Sequence, residues 1–257
     1  MGDMLWFLPV ADLTVFDWTL LIASALLVGF AKTAVGGVGA IAVAIFAAVL
    51  PAKESTGALL PLLLVGDVVA VRTYRAHAEW RLLLRLIPSV AGGVVLGFAF
   101  MAAVDDTVMR RTIGALLLLL VAVHLRRRRQ RAEPGTAESP GRHIRTQVFG
   151  LLAGFTTMVA NAGGSVMALY LLSAGLGMLG FLGTTAWFFF VLNMFKVPFS
   201  AGLGLISPGS LLMDAALAPA VVVGALLGRV GVRRLNQDQF ERLVLVFTVI
   251  SSINLLR

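Results

Sequence analysis

An all-α integral membrane protein, built from two inverted repeats, is the fold that the sequence predicts. Of its 257 residues, 59% are hydrophobic and only 13% are charged, and the mean hydropathy is +0.94. Soluble domains usually contain about 25% charged residues, so this composition excludes a soluble fold. Long apolar runs alternate with short basic segments. This pattern indicates several membrane crossings, each of which needs roughly 20 apolar residues.

The two halves of the chain repeat one another. The run from Pro88 to Gly97 matches the run from Pro219 to Gly228, with Pro, Gly and Gly in register at an offset of 131. The alternative is that Pro and Gly recur by chance, since both are common in membrane helices. Earlier in the chain, Gly29 matches Gly154 at an offset of 125 and Asp67 matches Asn193 at an offset of 126. The matches occur in the same order in both halves with slowly increasing offsets, which favours a duplication.

We expect the first membrane repeat to cover residues 1–125 and the second to cover residues 146–257, joined by a basic cytoplasmic linker at residues 126–145. Each repeat should contain a broken or re-entrant helical hairpin followed by three transmembrane helices. The first hairpin is indicated by the 33-residue run from Trp18 to Leu50, which is charged only at Lys32. This run is too long for one crossing and too short for two.

The distribution of Lys and Arg predicts how the halves are oriented. If each hairpin returns to its own side, the halves are inverted, with 15 of the 21 Lys and Arg residues on the cytoplasmic side and 5 outside. Hairpins that crossed once would weaken this bias. Because basic residues favour the cytoplasmic side, we expect inverted halves with the amino and carboxyl ends outside. No Lys or Arg precedes Lys32, so a cleaved secretory signal is not expected.

A polar, glycine-rich break from Gly29 to Gly39 is the first candidate site. A lysine at the centre of a membrane helix costs about 3 kcal/mol, so Lys32 is a functional candidate. Thr33 adds a hydroxyl, and Gly36 and Gly37 let backbone N–H groups approach a ligand. These groups together favour an anion. The alternative is that Lys32 caps the hairpin at the cytoplasmic surface.

The second half has an equivalent break. Asn161 and Ser165 offer an amide and a hydroxyl around Gly163 and Gly164, and Thr157 precedes them. We expect these five residues to bind the substrate with neutral donors, opposite the charge of the first half. The alternative is that these polar groups only satisfy the backbone of the broken helix.

Three further polar residues lie in the helices that follow the hairpins. Asp67 and Asn193 align at an offset of 126, and Asn193 is expected to join the substrate-binding set. Asp67 is a candidate for proton coupling, or the ion-pair partner of Lys32 or Arg72. Lys196 is a second candidate for coupling, or an interfacial residue whose amine reaches water.

Several classes of function are not expected from the residues present. The chain has no Cys, and its three His residues share no metal-ligand spacing, so neither a metal site nor a cofactor is predicted. No set of nucleophile, base and acid indicates an enzyme. Although the net charge is +8, the arginines lie in short segments between apolar runs, so no nucleic-acid partner is expected.

The chain resembles the sulfite exporter TauE/SafE family of bacterial membrane permeases. Four stretches carry the resemblance: Gly29 to Gly39, Asn161 to Gly164, Tyr170 to Leu172, and Gly183 to Pro198. The chain departs from the family pattern at Ser165, where Pro is expected. The resemblance implies transport of small anions, such as sulfite and organosulfonates, across the bacterial cytoplasmic (inner) membrane.

The sequence therefore predicts a secondary transporter of a small anion, sulfite or an organosulfur compound, that alternates access around the paired helix breaks. Its expected partners are the anionic substrate and the lipid bilayer, with proton coupling as an open option. The alternative is a membrane scaffold or a subunit of an intramembrane enzyme. A scaffold has no need of polar breaks inside the membrane.

Overall fold

A computed structural model describes residues 13–34, 39–109, 111–112, 115, 140–232, 234, 236, 239 and 242. These residues contain helices and no strand, which confirms the expectation of an all-α fold. Eight α-helices follow one another in the described chain: α1 (Val15–Thr33), α2 (Gly39–Val49), α3 (Ala52–Tyr74), α4 (Trp80–Ala103), α5 (Pro140–Ala160), α6 (Gly163–Ser173), α7 (Met178–Gly202) and α8 (Pro208–Val232).

Five of these helices, α1, α3, α4, α7 and α8, are long and apolar enough to cross a bilayer. Helix α5 begins at Pro140, so the last six residues of the expected linker are helical. In each repeat the last of the three expected transmembrane helices corresponds to the final apolar run, residues 107–125 and 240–256. Both runs fall largely outside the described residues. The described helices therefore form a multi-pass membrane protein.

Both expected helix breaks are present. Helices α1 and α2 form hairpin 1, in which the Ser24 hydroxyl donates to the Ala42 carbonyl at 3.0 Å. Helices α5 and α6 form hairpin 2, which turns at Asn161 with a left-handed φ of 48°. The second arm of each hairpin has 11 residues, or about 16 Å of helix, roughly half of the hydrocarbon thickness.

Helices α3 and α7 cross at the centre of the molecule and run antiparallel. The end of α3 lies against the start of α7, because Gly183 packs on the Tyr74 carbonyl. The start of α3 lies against the end of α7, because Gly57 packs on Leu205, just beyond α7. The loops after α3 and after α7 therefore lie at opposite ends of the molecule.

The long arm of each hairpin packs against the last described helix of the other half. Helix α1 lies along α8, and helix α5 lies along α4. Gly29 approaches the Val221 carbonyl so closely that a Cβ would collide with it, and Gly154 meets the Val90 carbonyl in the same way. Gly29 and Gly154 are related by the offset of 125, and Val90 and Val221 by the offset of 131.

Large apolar side chains such as Phe46, Leu60 and Phe181 fill the interior between the hairpins and α3 and α7. Other large apolar side chains, including Leu84 and Leu227, are exposed on the outer faces. In a membrane protein these outer faces contact lipid, so the polar groups of the hairpin breaks stay inside the bundle.

Candidate functional site

A cavity lies between the tips of the two hairpins. It is therefore bounded by the two breaks that the sequence singles out. Its wall is formed by residues of hairpin 1, of hairpin 2 and of helices α3 and α7: Val28, Ala31, Lys32, Gly39, Val43, Leu63, Thr157, Asn161, Ala162, Gly164, Ala168, Phe181, Thr185, Phe189 and Asn193.

Lys32 lies in the last turn of α1 and faces the cavity. Its Nζ is 2.6 Å from Oδ1 of Asp67 and 4.8 Å from the ring centroid of Phe189, a cation–π contact. Gly66 makes room for the lysine stem, because a Cβ there would come within 2.9 Å of the Lys32 Cγ. Lys32 is therefore held inside the bundle, with 12% of its side chain exposed.

Asp67 is fully buried and binds a partner through each oxygen. Oδ1 pairs with Lys32, and Oδ2 accepts a hydrogen bond from Nδ2 of Asn193 at 2.6 Å. Of the two ion-pair partners expected for Asp67, the structure contains Lys32, whereas Arg72 is exposed. The carboxylate thus links hairpin 1 to α7.

Lys196 is 1% exposed and lies behind the tip of hairpin 2. Its Nζ donates to the Thr157 carbonyl at 2.7 Å and to Oδ1 of Asn161 at 2.5 Å. Nδ2 of Asn161 donates in turn to the Thr56 carbonyl of α3 at 3.0 Å. Both acceptors of Lys196 are neutral, and no carboxylate forms a salt bridge with it in the described chain. The direct hydrogen-bond partners of this buried amine are therefore a backbone carbonyl and a side-chain amide.

Other residues expected at the site are placed differently. Thr33 is buried, and its hydroxyl donates to a carbonyl of α8 at 2.7 Å, outside the cavity wall. Gly163 packs against hairpin 2 itself, and Ser165 is the third residue of α6. Gly36 and Gly37 lie outside the described residues.

Three cavity residues of α7 were not singled out from the sequence, namely Phe181, Thr185 and Phe189. Together with Asn193 they recur at every fourth position, which places them on one face of the helix. Counting back from Asn193 in steps of four residues would have identified these three residues from the sequence. Two aromatic rings and one hydroxyl therefore belong to the cavity wall.

The helices define a multi-pass membrane protein with a cavity between two broken hairpins. Residues 21–255 match the family described as Sulfite exporter TauE/SafE, and the chain belongs to this family. The protein is therefore a membrane transporter of the sulfite and anion exporter type. No curated protein and no solved structure matches the chain significantly.

Proposed function

We propose that the protein is a secondary transporter of small anions, sulfite or an organosulfur compound such as a sulfonate, which bind in the cavity. The charge around the cavity carries this proposal. Two amines inside the bundle, Lys32 and Lys196, interact electrostatically with a single carboxylate, Asp67. One positive charge therefore has no counter-charge in the described chain. Burying an unpaired ion costs several kcal/mol, and a bound anion would offset that cost.

The starts of α2 and α6 support the same proposal. Gly39 is the first residue of α2 and Gly164 the second of α6, and both line the cavity. A helix N-terminus presents unpaired N–H groups and about half a positive charge. No side chain caps α6 by a hydrogen bond. Two such helix ends beside one cavity favour an anionic ligand.

We further propose that the halves are inverted repeats that rock against each other to give alternating access. The equivalent helices α3 and α7 run antiparallel, as inversion requires, whereas parallel repeats would align them. The glycine contacts give a second line of support. Gly224 packs on the Leu26 carbonyl, and Gly93 packs on the Leu151 carbonyl. Gly93 aligns with Gly224 at the offset of 131, and Leu26 aligns with Leu151 at the offset of 125, so the two contacts correspond to each other.

Exposed arginines support an orientation in the bacterial inner membrane. Four of them surround the turn between α3 and α4: Arg72, Arg75, Arg81 and Arg85. Because basic residues favour the cytoplasmic side, we place this turn inside the cell. The linker at residues 126–145 is then cytoplasmic, and both chain ends are outside.

Flux measurements in proteoliposomes test the function. We expect saturable uptake of sulfite, thiosulfate or a sulfonate by the wild-type protein. The double variant Lys32→Met with Asp67→Asn removes both charges and keeps an acceptor for Asn193, so it should fold without transporting. Lys32→Met alone leaves Asp67 buried without its salt-bridge partner, and should destabilise the protein by about 3–5 kcal/mol.

Arg81→Met is the matched control, because it removes an exposed charge that is not part of the cavity wall, and it should transport normally. Absence of saturable wild-type flux with all three anions would refute the proposed function. Normal flux by the double variant would remove the ion pair from the site.

A further inference from the structure

Asp214 of α8 is a second buried carboxylate, and it differs from Asp67 in having no partner. It is 4% exposed, and neither of its oxygens has a hydrogen-bond partner in the described chain. An ionised carboxylate in such a place costs several kcal/mol, whereas a neutral carboxylic acid costs much less. The structure therefore favours the protonated, uncharged form of this side chain.

The helices that pack against α8 supply no cation to Asp214. Within the described chain, the helices that pack extensively against α8 are α1 and α3. On α1, Asp17 accepts from Thr14, and Lys32 binds Asp67 of α3. On α3, the ammonium group of Lys53 donates to the Val104 carbonyl, and the backbone N–H of Lys53 donates to the carboxylate of Asp106.

The remaining charged residues of α3 and α8 are also elsewhere. Glu54 and Arg72 of α3 are exposed, and Arg229 lies 15 residues further along α8. In the described chain, the surroundings of Asp214 are thus without a counter-charge.

The position of Asp214 connects it to hairpin 1. Asp214, Leu217 and Val221 follow one another at spacings of three and four residues, so they share a face of α8. Gly29 of α1 packs directly against the carbonyl of Val221. Asp214 therefore belongs to the face of α8 that packs against α1, the helix that carries Lys32.

The equivalent position of the first half shows that packing does not require an acid here. The offset of 131 aligns Asp214 with Leu83, which is 3% exposed in α4. A leucine thus occupies the corresponding place where α4 packs against α5. The carboxyl group is present in only one of two equivalent interfaces.

We propose that Asp214 is a proton-binding site that couples proton movement to the rocking of hairpin 1 against α8. This inference rests on the proposed transport function. In the described conformation the carboxyl group holds a proton. When α1 and α8 separate, water reaches the carboxyl group, the proton leaves to water, and the carboxylate remains until the interface closes on a new proton.

Two assays in proteoliposomes test the coupling. The first is exchange of labelled sulfite without a pH gradient, and the second is sulfite accumulation driven by a pH gradient of either sign. We expect the wild type to perform both. Asp214→Asn and Asp214→Leu should retain exchange but lose pH-driven accumulation, down to the level of empty liposomes. Asp105→Asn, which alters an exposed carboxylate, should behave as wild type.

Two measurements without transport separate this inference from the proposed function. Infrared spectra of the wild type at neutral pH should contain a protonated carboxylic acid band that Asp214→Asn lacks. Asp214→Leu should be at least as thermally stable as the wild type, because Leu83 fills the equivalent place.

If the wild type showed the carboxylic acid band but no sulfite exchange, the transport function would be refuted and the protonated state of Asp214 would stand. If Asp214→Leu retained both sulfite exchange and pH-driven accumulation, the coupling role of Asp214 would be overturned and the transport function would stand. A missing band, or a large loss of stability in Asp214→Leu, would show that Asp214 is ionised and paired, and would also overturn the inference.

Discussion

Asn193 donates a hydrogen bond from its Nδ2 to Oδ2 of Asp67 at 2.6 Å, and each is the sixteenth residue of its helix. Residues that align between the two halves of the sequence thus touch each other at the crossing of α3 and α7. Lys32 binds the other oxygen of the same carboxylate. A substitution of Asp67 would therefore alter contacts to hairpin 1 and to α7 at the same time.

Asn193→Asp keeps the shape of the side chain but replaces the donor by a second carboxylate. Two buried carboxylates in contact cannot both be ionised without a large repulsion. We expect a loss of about 2–3 kcal/mol in the free energy of unfolding at neutral pH. The loss should shrink as the pH falls and one carboxyl group binds a proton. Thermal unfolding between neutral and acidic pH checks this, and equal stability of variant and wild type throughout would contradict it.

Lys196→Met removes the buried amine and keeps most of its volume. Because Lys196 is 1% exposed and bonded only to neutral oxygens, we expect the folded protein to be as stable as the wild type or more stable. The Michaelis constant for sulfite should rise about tenfold or more, because the variant lacks the Lys196 amine whose positive charge would attract the anion.

The matched control for that variant is Lys53→Met, at the start of α3. Lys53 donates to the Val104 carbonyl, so its loss should lower thermal stability without changing the Michaelis constant. An unchanged Michaelis constant in Lys196→Met would exclude Lys196 from the site.

Gly29→Ala and Gly154→Ala place a methyl group against a backbone carbonyl of the neighbouring helix. Each should lower the free energy of unfolding by about 1–3 kcal/mol, because the backbone has to shift. Gly202→Ala is the control, because nothing lies within 4 Å of its Cβ position. Chemical denaturation in detergent measures all three, and a large effect at only one of Gly29 and Gly154 would argue against equivalent interfaces.

The absence of Cys from the chain makes single-cysteine labelling a clean test of topology. Ala76 and Gly202 are exposed at opposite ends of the molecule. In intact cells, a membrane-impermeant thiol reagent should label Gly202→Cys from outside and should label Ala76→Cys only after permeabilisation. Labelling of both from the same side would contradict inverted halves.

The sequence predicts the fold well wherever a local signal specifies it. Lys32 and glycines interrupt the first apolar run, Asn161 and glycines interrupt the second, and both interruptions are helix breaks in the structure. The offset of 126 pairs Asp67 with Asn193, which are in contact. Such signals are available because helix ends and breaks depend on residues close together in the sequence, and a repeat is visible when the two halves are aligned.

Side-chain directions were harder to predict, because they depend on which helix packs against which. The sequence left open whether Lys196 reaches the surface, and the structure places it inside against Asn161. Thr33 follows Lys32 directly, yet its hydroxyl bonds to α8, since consecutive helical residues point about 100° apart. The identity of the neighbouring helix is a property of the tertiary fold, and the local pattern does not contain it.

The most direct test of the account is to locate a bound anion. Selenite has the shape and charge of sulfite, and its selenium atom gives an anomalous X-ray signal. Crystals of the protein soaked in selenite should contain an anomalous peak between the starts of α2 and α6, within hydrogen-bonding distance of Lys32 or Asn161. Peaks confined to exposed arginines, in a protein that transports selenite, would contradict an anion site between the hairpin tips.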